Sequence, residues 1–337
     1  MEEVISKNAT NYKELLRNYM ESQDEQALYG VEKVSKAFIK NNILPEEIVN
    51  LHIQAMAEVC NDLTEDYKNS MNFLLEAMIF YGLAMQEIPL LREEKHILQS
   101  EISVAASMQK TLLGTNKPEI NGMDIGVISV PAHQMNGDYH HFVKGKDGSL
   151  GIAIADVIGK GIPAALCMSM IKYSMDSYPE ESMSPKSILK NLNRVVERNV
   201  DPSMFITMCY AHYQPQESKL SFSSAGHEPG YYYNAETDTF KEFETRGLVL
   251  GVSPDTEYKE YEMTINKDDM VILLTDGVTE CRDGDRFIES QEVLDIIKKY
   301  SDLPAQEMVE NVYKHFERLQ DFQLRDDFTL MVLRKNS

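Results

Sequence analysis

The first part of the chain carries apolar residues at helical spacing and contains few residues that break a helix. Pro45 followed by two glutamates is typical of a helix start. Further along, apolar or small residues recur three and four positions apart and form one stripe, at Met71, Leu74, Leu75, Met78, Tyr81, Gly82 and Met85. This pattern predicts an all-α bundle over residues 1–84.

A second helical stretch follows, without glycine or proline between Leu91 and Leu113. Apolar residues recur every seven positions, at Leu91, Leu98, Ala105 and Leu112. The second apolar position of the heptad is charged at Glu94 and Glu101, so the sevenfold pattern is imperfect. We predict a linker helix over residues 85–114 that pairs weakly with a second copy of the chain.

After Gly114 the pattern changes to short β-rich runs separated by glycine and proline. The predicted strands lie at 123–130, 150–157, 204–213, 219–225, 270–276 and 327–333, with a further short strand after Asp138. Helical patterns fall at 163–177, 185–199, 289–299 and 304–319. This mixture predicts an α+β domain with a strand-rich core over residues 115–337.

The composition and net charge of the chain exclude some classes of function but do not identify the function. The 337 residues are 43% hydrophobic and 26% charged, which is typical of globular proteins. A net charge of −21 disfavours nucleic acid and anionic membranes as partners. The N-terminus lacks a signal-peptide pattern, the apolar stretch 71–85 is too short to span a bilayer, and four widely spaced cysteines are typical of a reducing compartment. We therefore expect a cytoplasmic protein.

Aspartates collect at the ends of the apolar runs. Asp138 precedes the short strand, Asp156 ends the run at 150–157, Asp276 ends the run at 270–276, and Asp326 and Asp327 precede the last strand. Carboxylates brought together repel one another unless a cation neutralises them, and oxygen ligands suit Mg²⁺, Mn²⁺ or Ca²⁺. A single aspartate in such a place is more often a turn residue or a helix cap.

Two other features of the sequence are candidates for chemistry, His227 and the GKG sequence. His227 is compatible with a general base, a ligand or a turn residue, and its residue type does not decide among them. The GKG sequence at 159–161 lacks the spacing of a phosphate-binding loop.

Six short motifs occur in a fixed order along the second half of the chain. They are GD at 137–138, DVIGKG at 156–161, SAGHEPG at 224–230, GLVLG at 247–251, TDGVTE at 275–280 and DDFT at 326–329. Together they resemble the metal-dependent serine/threonine phosphatases of the PPM (type 2C) family, in its bacterial sporulation and stress-response branch. The resemblance covers about residues 115–337, and residues 1–84 with the linker are similar to the regulatory part of stress-response members of that branch.

The resemblance implies a β-sandwich flanked by helices, with two metal ions, Mn²⁺ or Mg²⁺, at one edge. Asp156 matches the aspartate that bridges both ions. The other implied ligands are the backbone carbonyl of Val157, Asp138, Asp276 and Asp326, with Asp327 as the alternative to Asp326. Ile158 stands where eukaryotic relatives carry a histidine that is proposed as the general acid, which points to water as the proton source.

The resemblance also implies what the enzyme acts on and what controls it. A water activated by the two ions would hydrolyse a phosphoserine ester of an anti-anti-sigma factor and so release a stress sigma factor. A kinase-like switch protein is expected to activate the enzyme by binding residues 1–84, and a homodimer is expected through the helical domain and the linker. Lys160 is predicted to matter more for a protein substrate than for a small aryl phosphate.

Two alternatives belong to other classes of protein. A non-catalytic adaptor would keep the fold and signal by binding alone, but such proteins usually lose metal-binding acids, and all the expected ones are present. A calcium-regulated binding module would carry an EF-hand loop pattern, which the sequence lacks.

Overall fold

The computed structural model describes residues 2–22, 25–41, 43–60, 64–114, 117–159, 161–178, 184–201, 204–243, 246–284, 286–322 and 324–336. The chain divides into two compact units, residues 1–99 and 100–337. None of the helices in the described ranges has a stretch that is both long and apolar enough to cross a bilayer.

The first unit is helical, as the apolar spacing predicts. Its helices are α1 (Glu2–Ser22), α2 (Glu25–Lys40), α3 (Pro45–Val59) and the first part of α4 (Glu65–Leu113). α1 packs against α2 and α3, and the buried side chains include Val34, Phe38 and Met56. α3 begins at Pro45, where the Glu47 carboxylate accepts the backbone N–H of Leu44 at 2.9 Å.

α4 is one continuous helix of 49 residues. The apolar stripe at 71–85 and the linker stretch from Leu91 onward therefore lie on the same helix, and residue 84 is not a helix end. All residues from 91 to 104 are exposed, and Leu91 and Leu98 are 54% and 58% exposed. This part of α4 therefore presents apolar side chains to solvent.

The second unit contains two five-stranded antiparallel sheets and a short hairpin. The sheet orders are β1-β12-β9-β6-β7 and β2-β3-β4-β5-β8, and β10 pairs with β11. The strands are β1 (Met123–Val130), β2 (Asp138–Lys144), β3 (Leu150–Val157), β4 (Ile206–Gln214), β5 (Lys219–Ala225), β6 (Gly230–Asn234), β7 (Thr239–Phe243), β8 (Tyr261–Thr264), β9 (Met270–Leu274), β10 (Arg282–Asp283), β11 (Arg286–Phe287) and β12 (Phe328–Lys335). The helices are α5 (Ile162–Asp176), α6 (Pro185–Asn199), α7 (Asp276–Thr279), α8 (Ser290–Lys299) and α9 (Ala305–Leu319).

The alternation of side chains along β3 explains how the layers form. Ile152 and Ile154 pack between the two sheets, together with Val271 of β9 and other inward-facing residues. Ala153 and the alternate positions face a second cluster that contains residues of α5 and α6. A third cluster joins β9 and β12 to α8 and α9. The predicted sandwich of strands flanked by helices is confirmed. β3 is apolar except at Asp156, because both of its faces are covered.

Some element bounds differ from the sequence-based prediction. β6, β7 and β8 were not predicted. The predicted strand 270–276 ends at Leu274, and Asp276 is the first residue of α7, after Thr275 has left the sheet. The predicted strand 204–213 begins two residues later, at Ile206.

Candidate functional site

The pairing of β2 with β3 brings two of the predicted aspartates side by side. Asp138 and Asp156 are direct partners in this antiparallel ladder. Asp156 follows Ile152 and Ile154 at even positions, so it belongs to the face that packs between the sheets. Asp138 is 2% exposed and Asp156 is half-buried. The apolar layer between the sheets therefore ends in two carboxylates.

The other sheet brings the remaining aspartates to the same edge. β9 and β12 are neighbours, and Leu274 pairs with Leu330. Asp276 lies just after β9, and Asp326 and Asp327 lie just before β12. Burial raises the pKa of Asp156 to about 7, with further contributions from the negative charges of Asp276, Asp326 and Asp327. Burial, followed by the charge of Asp326, also raises the pKa of Asp276.

Asp138 has one oxygen engaged and one without a partner. The Thr275 hydroxyl donates to Asp138 Oδ2 at 2.7 Å, and this bond joins the two sheets. Asp138 Oδ1 is buried and accepts no hydrogen bond from any described residue. Burial is the main cause of a raised pKa for Asp138, against the opposing effect of the Thr329 and Thr275 hydroxyls. A buried carboxylate oxygen in this state is suited to a cation.

Gly137 leaves a small space that oxygen atoms surround. Its N–H donates to Asp327 Oδ2, and its carbonyl accepts the Val157 N–H at 3.1 Å. A Cβ at this position would lie 3.0 Å from Asp327 Oδ2, 3.6 Å from Asp156 Oδ1 and 3.7 Å from the Val157 carbonyl oxygen. A side chain here would be tight against Asp327 Oδ2 and in ordinary contact with the other two oxygen atoms.

Asp326 and Asp327 have different environments although they are adjacent. Both oxygens of Asp327 accept backbone N–H groups, Oδ1 from Ala132 at 2.7 Å and Oδ2 from Gly137. Asp326 is exposed, and its Oδ1 accepts the N–H of Asp327 at 3.0 Å. Asp327 therefore anchors the loop before β2 through both of its carboxylate oxygens.

The donor set fits a hard divalent cation, since it consists of carboxylate and carbonyl oxygens. Across the described ranges, no group of three or more histidine, cysteine, aspartate or glutamate side chains is arranged so that it could hold a metal ion as it stands. The site is thus a group of mutually repelling carboxylates with one unpaired buried oxygen and a gap beside Gly137. Positive charge would relieve both the repulsion and the unpaired oxygen.

His227 belongs to the packing around the site. It is buried, and its ring Nδ1 lies 2.9 Å from Thr207 Oγ1. Its backbone N–H donates to Ser224 Oγ at 3.1 Å. Burial lowers its pKa to about 4, so the ring is neutral near pH 7.

Ile158 is exposed, and its side chain has no dissociable proton to donate. Lys160, predicted to affect protein substrates, lies outside the described residues.

The GLVLG segment supports the SAGHEP turn. A Cβ at Gly247 would lie 1.9 Å from the carbonyl oxygen of Ser224, so the two backbones touch. Leu250 forms an isolated bridge with Ile206 at the start of β4. These motifs shape the fold beside the carboxylates.

Two residues near the site were missed by the sequence analysis. Thr275 lies inside the TDGVTE motif, one residue past β9. It continues the alternation of Val271 and Leu273, which face the space between the sheets, and this alternation could have indicated that Thr275 approaches Asp138. Gln109 of α4 forms hydrogen bonds with Asn136, two residues before Asp138. The sequence gave no indication of this contact, because a glutamine in a polar helix is ordinary.

Solved structures with a similar fold define the class. The PP2C domain of SiaA from Pseudomonas aeruginosa matches with a TM-score of 0.62 at 18% identity, over 72% of this chain and 98% of that chain. The RsbU and RsbW domains of a Mycobacterium tuberculosis protein match with a TM-score of 0.55 at 20% identity, over 65% of this chain and 63% of that chain. The fold of the second unit is therefore that of a PP2C domain.

Sequence comparisons give the family. A family model described as stage II sporulation protein E (SpoIIE) matches residues 146–336, and one described as the N-terminal domain of phosphoserine phosphatase RsbU matches residues 10–84. Phosphoserine phosphatase RsbU of Bacillus subtilis (strain 168) is 52% identical over 324 residues, which cover 96% of each chain. The chain therefore belongs to the SpoIIE family of PP2C-type phosphatases. It is an enzyme, against the alternative of a non-catalytic adaptor.

Proposed function

We propose that this chain is a phosphoserine phosphatase whose substrate is a phosphorylated anti-anti-sigma factor, and that its reaction releases a stress sigma factor. The observation that carries the proposal is the 52% identity with phosphoserine phosphatase RsbU over nearly the whole of both chains. The presence of every implied acidic residue at the same edge of the two-sheet sandwich supports it. The four cysteines are free thiols, which agrees with a cytoplasmic location.

We propose that two divalent ions, Mn²⁺ or Mg²⁺, bind at this edge. Asp156 would hold both ions, and the remaining ligands would be Asp138, Asp276, Asp326 and the backbone carbonyl of Val157. When bound, the ions lower the pKa of a water molecule and offset the negative charge of the phosphoryl group. The unpaired oxygen of Asp138 and the gap at Gly137 support this assignment.

The other residues of the site position these ligands. Thr275 holds Asp138 by one oxygen and leaves the other for an ion. Asp327 fixes the loop before β2 through Ala132 and Gly137. His227 stays neutral, and Ile158 has no dissociable proton, so neither protonates the leaving alcohol.

We further propose that a kinase-like switch protein binds residues 1–84 and that α4 forms a homodimer with its copy in a second chain. The match of residues 10–84 to the RsbU N-terminal domain supports the first part. The Mycobacterium tuberculosis protein that joins RsbU and RsbW domains in one chain agrees with a paired regulatory partner. The exposed apolar residues Leu91 and Leu98 support the dimer, since a helix without packing is marginal in water.

Phosphate release from a serine-phosphorylated anti-anti-sigma factor tests the proposal. The full chain is assayed in EDTA and then in excess Mn²⁺, with and without the switch protein. We expect release that requires Mn²⁺ and rises strongly with the switch protein. Equal release in EDTA would contradict the metal mechanism. Absence of release with both Mn²⁺ and the switch protein would contradict the substrate assignment.

A further inference from the structure

Gln109 is a buried polar side chain on a helix face where Ala105, Ala106, Leu112 and Leu113 are half-buried. It lies in the last turns of α4, within the second unit, and is 6% exposed, whereas Met108 and Lys110 are exposed. A buried amide is costly unless its donors and acceptor are paired. The contacts of Gln109 are therefore informative about what this end of α4 does.

The amide of Gln109 pairs with the backbone of one loop residue. Its Nε2 donates to the Asn136 carbonyl at 2.8 Å, and its Oε1 accepts the Asn136 N–H at 3.0 Å. These are the two bonds that a residue of a neighbouring strand would exchange with Asn136. Nε2 also lies 3.4 Å from Met168 Sδ on α5. Gln109 thus joins α4 both to the loop before β2 and to α5.

The residue that Gln109 holds is connected directly to the carboxylate site. The Asn136 side chain accepts the Asp138 N–H at 3.0 Å and donates to Ser129 Oγ at 2.9 Å. Gly137 comes next, and it contacts Asp327 through its N–H and Val157 through its carbonyl. A shift of the Asn136 backbone would therefore move Gly137 and Asp138 together.

We propose that Gln109 is a positioning residue that sets the affinity of the site for divalent cations, by holding the loop 131–137 so that Gly137 and Asp138, at the start of β2, keep their positions beside Asp156. The proposal rests on the metal site of the proposed function. Without the Gln109 amide, the Asn136 N–H and carbonyl lose their partners, and the loop exchanges among conformations that must be ordered again when an ion binds. Asp327 holds the same loop from the other sheet, so the loop stays attached but is less well fixed.

The test uses the full chain with the Gln109→Met variant, which keeps the length of the side chain and removes both hydrogen bonds. Lys110→Met is the matched control, because Lys110 is the exposed neighbour on the same helix. Mn²⁺ binding is measured by titration calorimetry, and amide hydrogen exchange is followed at Asn136 and Gly137 in EDTA. We expect Gln109→Met to bind Mn²⁺ about tenfold more weakly, which is about 1.4 kcal/mol, and to exchange these two amides faster. Lys110→Met stays within about twofold of the wild type in affinity.

A second readout separates positioning from a purely structural role. At saturating Mn²⁺, Gln109→Met is expected to hydrolyse a small aryl phosphate at the wild-type turnover rate. If this variant gives little folded protein, Gln109→Glu takes its place, since it keeps an acceptor for the Asn136 N–H and loses only the donor. It too is expected to bind Mn²⁺ more weakly than the wild type.

Three results would overturn the proposal. Wild-type Mn²⁺ affinity in the folded variant would show that Gln109 contributes only to folding, and the metal site would still stand. Unchanged exchange at Asn136 and Gly137 would show that the loop does not depend on the Gln109 amide. Failure of the wild type to bind Mn²⁺ would refute the metal site of the proposed function, and this inference with it.

Discussion

Replacing Asp156 with asparagine is expected to stabilise the cation-free protein while reducing its activity by orders of magnitude. The wild-type carboxylate is half-buried, and burial together with the charges of Asp276, Asp326 and Asp327 raises its pKa from 3.8 to about 7. An amide of the same shape removes the charge that the site must otherwise accommodate. The same change removes a bridging ligand, so turnover falls although the fold is retained.

The size of the effect follows from the pKa of Asp156. The difference between 3.8 and about 7, at about 1.4 kcal/mol for each pKa unit, corresponds to about 4 kcal/mol of destabilisation when the group is ionised. Because the side chain is partly open to water, we halve this value to about 2 kcal/mol. For a domain of this size, about 2 kcal/mol raises the melting temperature by about 4–8 °C.

The dependence on pH has a definite sign. Below pH 3.8 the carboxyl of Asp156 is neutral in both the folded and the unfolded chain, so the substitution gains nothing there. Between pH 3.8 and about 7 the unfolded chain loses this proton first, and the wild type is progressively destabilised relative to the variant. The full gain is therefore expected above about pH 7.

Thermal or urea unfolding of the full chain in EDTA, at pH 5 and pH 8, measures the effect. Asp147→Asn is the matched control, because hydrogen bonds from Ser149 lower the pKa of Asp147 and the same substitution there is expected to destabilise slightly. Excess Mn²⁺ is expected to reverse the order, since an ion at 100 times its dissociation constant stabilises the wild type by about 2.7 kcal/mol. Equal stability of Asp156→Asn and wild type in EDTA at pH 8 would refute the idea that the carboxylates repel one another.

Three further substitutions test neighbouring parts of the structure. Asp327→Ala is expected to lower the free energy of unfolding in urea by about 2–4 kcal/mol, because the N–H groups of Ala132 and Gly137 lose a charged acceptor; a change below about 0.5 kcal/mol would contradict the anchor role. Gly137→Ala is expected to weaken Mn²⁺ binding in calorimetry by tenfold or more, since its Cβ would lie 3.0 Å from Asp327 Oδ2 and displace the loop that leads to Asp138, and unchanged affinity would count against an ion there. Leu98→Lys is expected to shift full-length protein toward monomer in sedimentation velocity, with the exposed Glu94→Gln as control; an unchanged dimer would exclude this part of α4 from the interface.

The strands that could be predicted from the sequence are those with two covered faces. β3 was predicted with its observed bounds because every residue along it is apolar apart from Asp156. β7 was missed because it is a short edge strand whose Lys241 and Glu242 side chains are exposed. Charged residues on an edge discourage pairing with other chains, and they also hide the strand from a pattern based on burial.

The site could be predicted as a set of residues but not as an arrangement. The position of Asp138 at a strand start was visible, whereas its pairing with Asp156 depends on the register of two strands that the sequence does not give. The different environments of Asp326 and Asp327 were not visible in the sequence either. The side chains of adjacent residues point in different directions. Only the structure shows that the carboxylate of Asp327 accepts the N–H groups of Ala132 and Gly137.

Gln109 and Asp327 both hold the loop before β2, and this limits how far a signal acting through α4 could change ion binding at the site. Gln109 holds the loop by two hydrogen bonds to Asn136, and Asp327 holds it independently from β12. Leaving the Asn136 groups unpaired costs about 1–3 kcal/mol, which corresponds to a change in ion affinity of about 5-fold to 150-fold. A signal that loosened the end of α4 would therefore change the fraction of enzyme that holds its ions when these are scarce. It would leave turnover unchanged once they are saturating, because Gln109 contacts none of the residues proposed as ligands.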